Sequence, residues 1–140
     1  MTIRVLLADD TKTMRDGLRA LLESDAGVAV VGEAASGTEA VRLTRELAPD
    51  VVVMDIRMPD MDGVQATRQL KAVGASARVV AITAALDETL AERLREAGAV
   101  GIVPKEEVFE KLLPAVREAA AANIRDSLGG APAQKRRAKR

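Results

Sequence analysis

Five short, largely aliphatic runs divide this chain, and each is followed by a longer stretch with apolar residues at helical spacing. The runs are IRVLLA (3–8), VAVV (28–31), VVVMD (51–55), VVAI (79–82) and VGIV (100–103). A strand with one face in water alternates apolar with polar residues, whereas a continuous apolar run needs cover on both faces. Strands of that kind alternating with helices specify a parallel sheet sandwiched between two helical layers.

The intervening segments supply the helices. Met14, Leu18, Leu21 and Leu22 recur at helical spacing after the first run. Ser36-Gly37-Thr38-Glu39 is a capping box, in which Ser36 accepts from the Glu39 amide and Glu39 reaches back to the cap amide. The helix that follows carries Ala40, Val41, Leu43 and Leu47 and stops before Pro49. Val64, Thr67, Leu70 and Lys71 mark a third helix ending near Gly74. Asp87 caps a fourth through Leu90, Leu94 and Ala97, which Gly98 ends. Val108, Leu112, Leu113 and Val116 mark the last, running to about Ala122. Pro114 would cost roughly 3 kcal/mol in a helix interior. The last helix is therefore expected to start late, around Val108 to Glu110, or to bend at Pro114.

Right-handed crossovers make this an α/β, doubly wound fold. Five parallel strands with five helices favour the flavodoxin-like order 2-1-3-4-5, whose ligand crevice lies at the carboxyl ends of strands 1 and 3. That order puts strand 5 at an edge, where Pro104 at its end is tolerated.

Composition narrows the chemistry. The chain has no cysteine and no histidine, which excludes disulfides, the usual zinc ligand sets and Ser-His or Cys-His catalysis. Phe109 is the sole aromatic, so recognition of single-stranded nucleic acid by stacking is disfavoured. The opening MTIRVLLADD turns acidic too early for a signal peptide, and no apolar run reaches membrane-spanning length. The expectation is a cytoplasmic protein without membrane contact.

What remains is carboxylates, hydroxyls and lysine. Strand 1 delivers Asp9 and Asp10, strand 3 Asp55, strand 4 Thr83 and strand 5 Lys105, all facing one crevice. Taken singly, each has an ordinary role: an Asp pair caps a helix or turn, a Thr ends a strand, a Lys is solvated. Their joint placement at strand ends is what argues for a site. Three carboxylates without histidine or cysteine suit a hard divalent ion such as Mg2+. With a hydroxyl and an ammonium added, the set can hold a phosphoryl group.

These residues also carry a family resemblance. VLLADD (5–10), VVVMDIRMPDMDG (51–63), VVAITA (79–84) and VGIVPK (100–105), in that order, resemble the receiver domain of two-component response regulators over about residues 1–122. VVGEAASGTEAV (30–41) and DIRMPDMDGVQATR (55–68) further resemble the NarL/FixJ type, whose members usually carry a C-terminal LuxR-type helix-turn-helix. The resemblance implies that Asp55 is the phosphoacceptor for a sensor histidine kinase. It implies that Asp10 and Asp55 ligate Mg2+ directly, Asp9 through water and Arg57 through its backbone carbonyl. Lys105 would bind the phosphoryl group, Thr83 would close onto it, and Ala84 would leave room beside Thr83. Pro59 and Gly63 would shape the loop after the acceptor. Such a domain catalyses only its own phosphorylation and dephosphorylation. A homodimer is among the partners it allows, and DNA would be reached only through a domain not present in this chain.

Two positions depart from the family pattern. Ile102 stands where an aromatic often serves as the second switch residue, which bears on its coupling to Thr83. Glu106 follows Lys105 where many members have a proline, often after a cis bond, and Pro104 precedes it.

Two other readings compete. A phosphohydrolase with Asp55 as nucleophile would want an acid two residues on, where Arg57 stands. A pseudo-receiver would bind partners without phosphorylation, against which the complete acidic set argues. Residues 123–140 read as a linker or basic tail: 135–140, KRRAKR, hold five of the 21 basic residues and no acid, and no helix-turn-helix fits there. The expectation is either a receiver-only protein or a linker leading to a DNA-binding domain.

Overall fold

A computed structural model describes residues 2–127. It contains β1 (Ile3–Ala8), α1 (Lys12–Glu23), β2 (Val28–Ala34), α2 (Gly37–Leu47), β3 (Val51–Asp55), α3 (Gly63–Ala72), β4 (Arg78–Thr83), α4 (Glu88–Ala97), β5 (Ala99–Pro104) and α5 (Val108–Ser127). A 3-10 turn, Lys105–Glu107, joins β5 to α5. All strand pairings are parallel and the order is β2-β1-β3-β4-β5, the flavodoxin-like arrangement expected.

The continuous apolar runs split by residue parity, because neighbouring side chains on a strand point to opposite faces. Val5, Leu7, Val51, Val53, Val80 and Ile82 pack with Leu18 and Leu22 of α1 and Leu112 and Val116 of α5. Leu6, Ala8, Val52, Met54, Val79 and Ala81 pack with Val41 of α2, Val64 and Leu70 of α3 and Leu94 of α4. Each strand therefore serves two cores, which removes any use for polar alternation.

Local chemistry sets most helix ends. Asp62 and Asp87 cap α3 and α4 by accepting from Gln65 N and Leu90 N, each at 2.8 Å. Gly98, at φ 117°, ends α4 in the left-handed region that glycine adopts without strain. Ser36 accepts from Glu39 N at 3.2 Å, but Glu39 reaches Ala35 N, at 2.7 Å, rather than the cap amide.

Two segments differ from the sequence expectation. β2 continues three residues past Val31, through Gly32, with a register irregularity that leaves Val31 without a Cα partner on β1. Gly32 interrupts the apolar run for a packing reason: a Cβ there would stand 2.7 Å from Leu47 Cδ1 and 3.1 Å from Leu6 Cδ1. α5 begins at Val108 as expected, yet runs to Ser127, past the expected end near Ala122. Pro114 lies inside it, beyond the first-turn amides that lack intrahelical partners. Pro114 and Glu110 are both exposed, so the Glu110 carbonyl that the ring deprives of a donor can be hydrated. Of the expected linker or basic tail at 123–140, residues 123–127 belong to α5 instead, and 128–140, the basic run at 135–140 included, lie outside the described residues.

Candidate functional site

Parallel pairing brings every strand's carboxyl end to one edge of the sheet. Ala8 is in register with Met54, Asp55 with Ile82, and Thr83 with Pro104. Asp9, Asp55, Thr83 and Lys105 thus fall at or one residue beyond the ends of four adjacent strands.

The three acids converge. One carboxylate oxygen from each of Asp9, Asp10 and Asp55 lies within 4.8 Å of the others. Asp9 and Asp55 are buried, at 2% and 4% exposure, whereas Asp10 is exposed. Lys105 Nζ stands 3.7 Å from Asp55 Oδ1. Arg57 N approaches the same oxygen at 3.5 Å, a long contact that leaves the carboxylate weakly satisfied.

Burial and the nearby Asp9 carboxylate push the Asp55 pKa up to about 6, with a smaller push from Asp10; Lys105 and the Arg57 N–H act in the opposite direction. One half-buried ammonium does not offset two buried acids and a third at their rim. The donor set is all oxygen and its excess charge is negative. Those properties fit a hard divalent cation such as Mg2+.

Thr83 is buried, and its hydroxyl accepts from Ala85 N at 3.2 Å. Ala84 is exposed. Ile102, in register with Ala81 on β5, is half-buried against the core on the α2–α3–α4 side. The described peptide bonds are all trans, Lys105–Glu106 included.

The loop from 56 to 62 is pinned at both ends. Gly63 N donates to Ile56 O at 2.8 Å, and a Cβ on Gly63 would meet Asp55 O at 2.4 Å. Only glycine lets α3 start this close to the Asp55 backbone. The Thr38 hydroxyl and the Thr38 and Gly37 amides bind the Asp60 carboxylate, which lowers its pKa. A Cβ on Gly37 would meet Met61 O at 2.2 Å. The loop after Asp55 is therefore latched to the start of α2. Sequence reasoning did not single out Asp60 or Thr38. The available signal was an acid in a Pro-Asp turn and a helix N-terminus rich in free amides.

The response regulator receiver domain family matches residues 5–117. The transcriptional regulatory protein LiaR of Bacillus subtilis is 39% identical over 117 residues, covering 84% of this chain and 56% of LiaR. The response regulator GacA of Pseudomonas viridiflava is 40% identical over 115 residues, covering 82% of this chain and 54% of GacA. The chain spans about half the length of the curated relatives it matches. Among solved structures, the signal receiver domain of the response regulator NarL from Mycobacterium tuberculosis superposes with a TM-score of 0.82 at 32% identity, covering 86% of this chain and 97% of that one. Among the described residues, no helix is long and apolar enough to cross a membrane.

Proposed function

The chain belongs to the response regulator receiver domain family, and on that premise we propose that Asp55 accepts a phosphoryl group from a sensor histidine kinase in a Mg2+-dependent reaction. The observation that carries this reading is the convergence of Asp9, Asp10 and Asp55 within 4.8 Å, with Lys105 Nζ 3.7 Å from Asp55 Oδ1.

The ionised Asp55 carboxylate is the nucleophile. One of its oxygens attacks the phosphorus of the donor phosphohistidine; the P–N bond breaks, its electron pair leaves with the imidazole nitrogen, and Asp55 becomes an acyl phosphate. Lys105 lies where its ammonium can attract a phosphoryl oxygen and hold the group against Asp55. Asp9, Asp10, Asp55 and the Arg57 carbonyl would hold the cation, which when bound supplies charge neutralisation for the acids and the phosphoryl oxygens. Exposed Ala84 leaves the approach beside Thr83 open.

The Thr83 hydroxyl is the reporter of phosphorylation. In this structure it is held by Ala85 N, and engaging a phosphoryl oxygen on Asp55 draws it towards the site and pulls on the segment after β4. Ile102, beside β4, then repacks. An aliphatic side chain there makes that response a smaller rearrangement than a ring would. Output would pass to DNA through a domain outside this chain, or to a second copy of it.

The test is phosphorylation by acetyl phosphate with and without Mg2+, read by intact mass. Mg2+-dependent addition of one phosphoryl group, absent from Asp55→Asn, is expected. Equal modification of the two proteins, or none of the wild type, would refute the reading.

A further inference from the structure

Arg15 has no part in the chemistry above, yet it joins the acidic site to the edge of the sheet. Its Nη1 donates to the backbone carbonyl of Asp9 at 2.6 Å, and its Nε donates to Glu33 Oε1 at 2.8 Å. The Arg15 and Glu33 side chains are only 15% and 25% exposed. Glu33 Oε2 is itself taken by Arg19, through Nε at 3.0 Å and Nη2 at 2.8 Å. Hydrogen bonds from Arg19 and Arg15 hold the Glu33 carboxyl below the usual carboxylate range, so it remains an anion.

The Asp9 carbonyl needs a partner. The β1–β2 and β1–β3 ladders both end at Ala8, and the last bond on this side is Asp9 N to Ala34 O at 3.0 Å. The carbonyl beyond belongs to a residue 2% exposed, where an unpaired acceptor carries a desolvation cost. Arg15 satisfies it. With the amide on Ala34 and Oδ1 accepting from Thr11 N at 2.9 Å, Asp9 is fixed at three polar groups.

We propose that Arg15 is a positioning residue: clamped by Glu33, it holds the Asp9 backbone and so sets the direction of one acid of the cation site. This rests on the phosphoacceptor reading above for the identity of the cation. The planar guanidinium matters because two of its nitrogens serve two partners in fixed directions, which a single ammonium does not reproduce.

The sign of the effect separates positioning from charge. Deleting a cation beside an acidic cluster strengthens Mg2+ binding by Coulomb's law alone. Loss of an outer partner that orients a ligand weakens it, typically by about 10-fold or more. Mg2+ affinity is therefore measured by calorimetry on the wild type and on the Arg15→Ala, Arg15→Lys and Arg19→Ala variants, alongside amide exchange at Asp9 without metal. Arg19 shares Glu33 but, among the described residues, makes its polar contacts with Glu33, Glu23 and the Val30 carbonyl rather than with Asp9, so it controls for general loss of the ion-pair network.

The expected result is weaker binding by about 10-fold in Arg15→Ala, no recovery in Arg15→Lys, and wild-type affinity in Arg19→Ala. Asp9 amide exchange should quicken in both Arg15 variants and stay unchanged in Arg19→Ala. Unchanged or tighter binding in Arg15→Ala, or equal weakening in Arg19→Ala, would overturn the proposal. If the wild type fails to bind Mg2+, the phosphoacceptor reading falls. The exchange data then still decide the role of Arg15: unchanged Asp9 exchange in Arg15→Ala removes it, and faster exchange retains it.

Discussion

Lys105 Nζ and Asp55 Oδ1 lie 3.7 Å apart, close enough to attract and too far for a tight hydrogen bond. Lys105 therefore tempers the acid without locking it. Replacing Lys105 with Met removes one of the influences that lower the Asp55 pKa and should move it above its present value of about 6. Carbon-13 NMR titration of the Asp55 carboxyl in metal-free protein reads this directly. An unchanged or lower value would show that the lysine does not act on Asp55.

Stability should depend on pH through the same group. Asp55 holds its proton to about pH 6 in the native state, against a reference value of 3.8. Between those limits the native state binds more protons than the unfolded chain, so metal-free stability falls as pH rises through the window. Asp55→Asn should match the wild type near pH 4 and exceed it above pH 6 by about 1–3 kcal/mol in urea unfolding. A constant difference across the range would count against this.

Cation binding should reverse that loss. Mg2+ engages the ionised acids, so its stabilising effect on the melting temperature should be larger at pH 7.5 than at pH 5, where protons compete for Asp55. Addition of EDTA should return the metal-free value. A shift of equal size at both pH values would place the cation away from Asp55.

Gly63 and Gly17 should respond to alanine with opposite signs. At Gly63 the new Cβ meets Asp55 O at 2.4 Å, which is backbone and cannot swing aside. Gly63→Ala should cost about 1–3 kcal/mol and weaken Mg2+ binding by displacing the Asp55 peptide. At Gly17, within α1, nothing lies within 4 Å, and Gly17→Ala should stabilise by about 0.5–1 kcal/mol. Chemical denaturation of the two variants checks both.

The sheet was legible in the sequence because burial on both faces leaves continuous apolar runs, and residues 51–54 and 79–82 contain no polar residue. Asp9, Asp10 and Asp55 could be grouped because parallel strands bring their carboxyl ends together. The far end of β2 was not legible: Gly32 looks like a terminator, and the Leu47 side chain that packs over it is fifteen residues away. Nor were the supports around the site. Arg15 reads as one of many helix-surface arginines until the Asp9 carbonyl is seen to lack a ladder partner. Asp60 reads as an ordinary turn residue until the loop is found against the amides of α2.

The strand order also gives the site a history in time. Synthesis runs from Asp9 and Asp10 to Asp55, and only the final strand, β5 at the edge of the sheet, delivers Lys105. A chain halted before that point carries three acids with no ammonium from β5 to temper them. It also leaves β4 as a bare, strongly apolar edge. The same last segment completes both the hydrogen-bonded edge and the electrostatic balance, so a chain with a finished pocket is also a chain that has been made at least as far as Lys105.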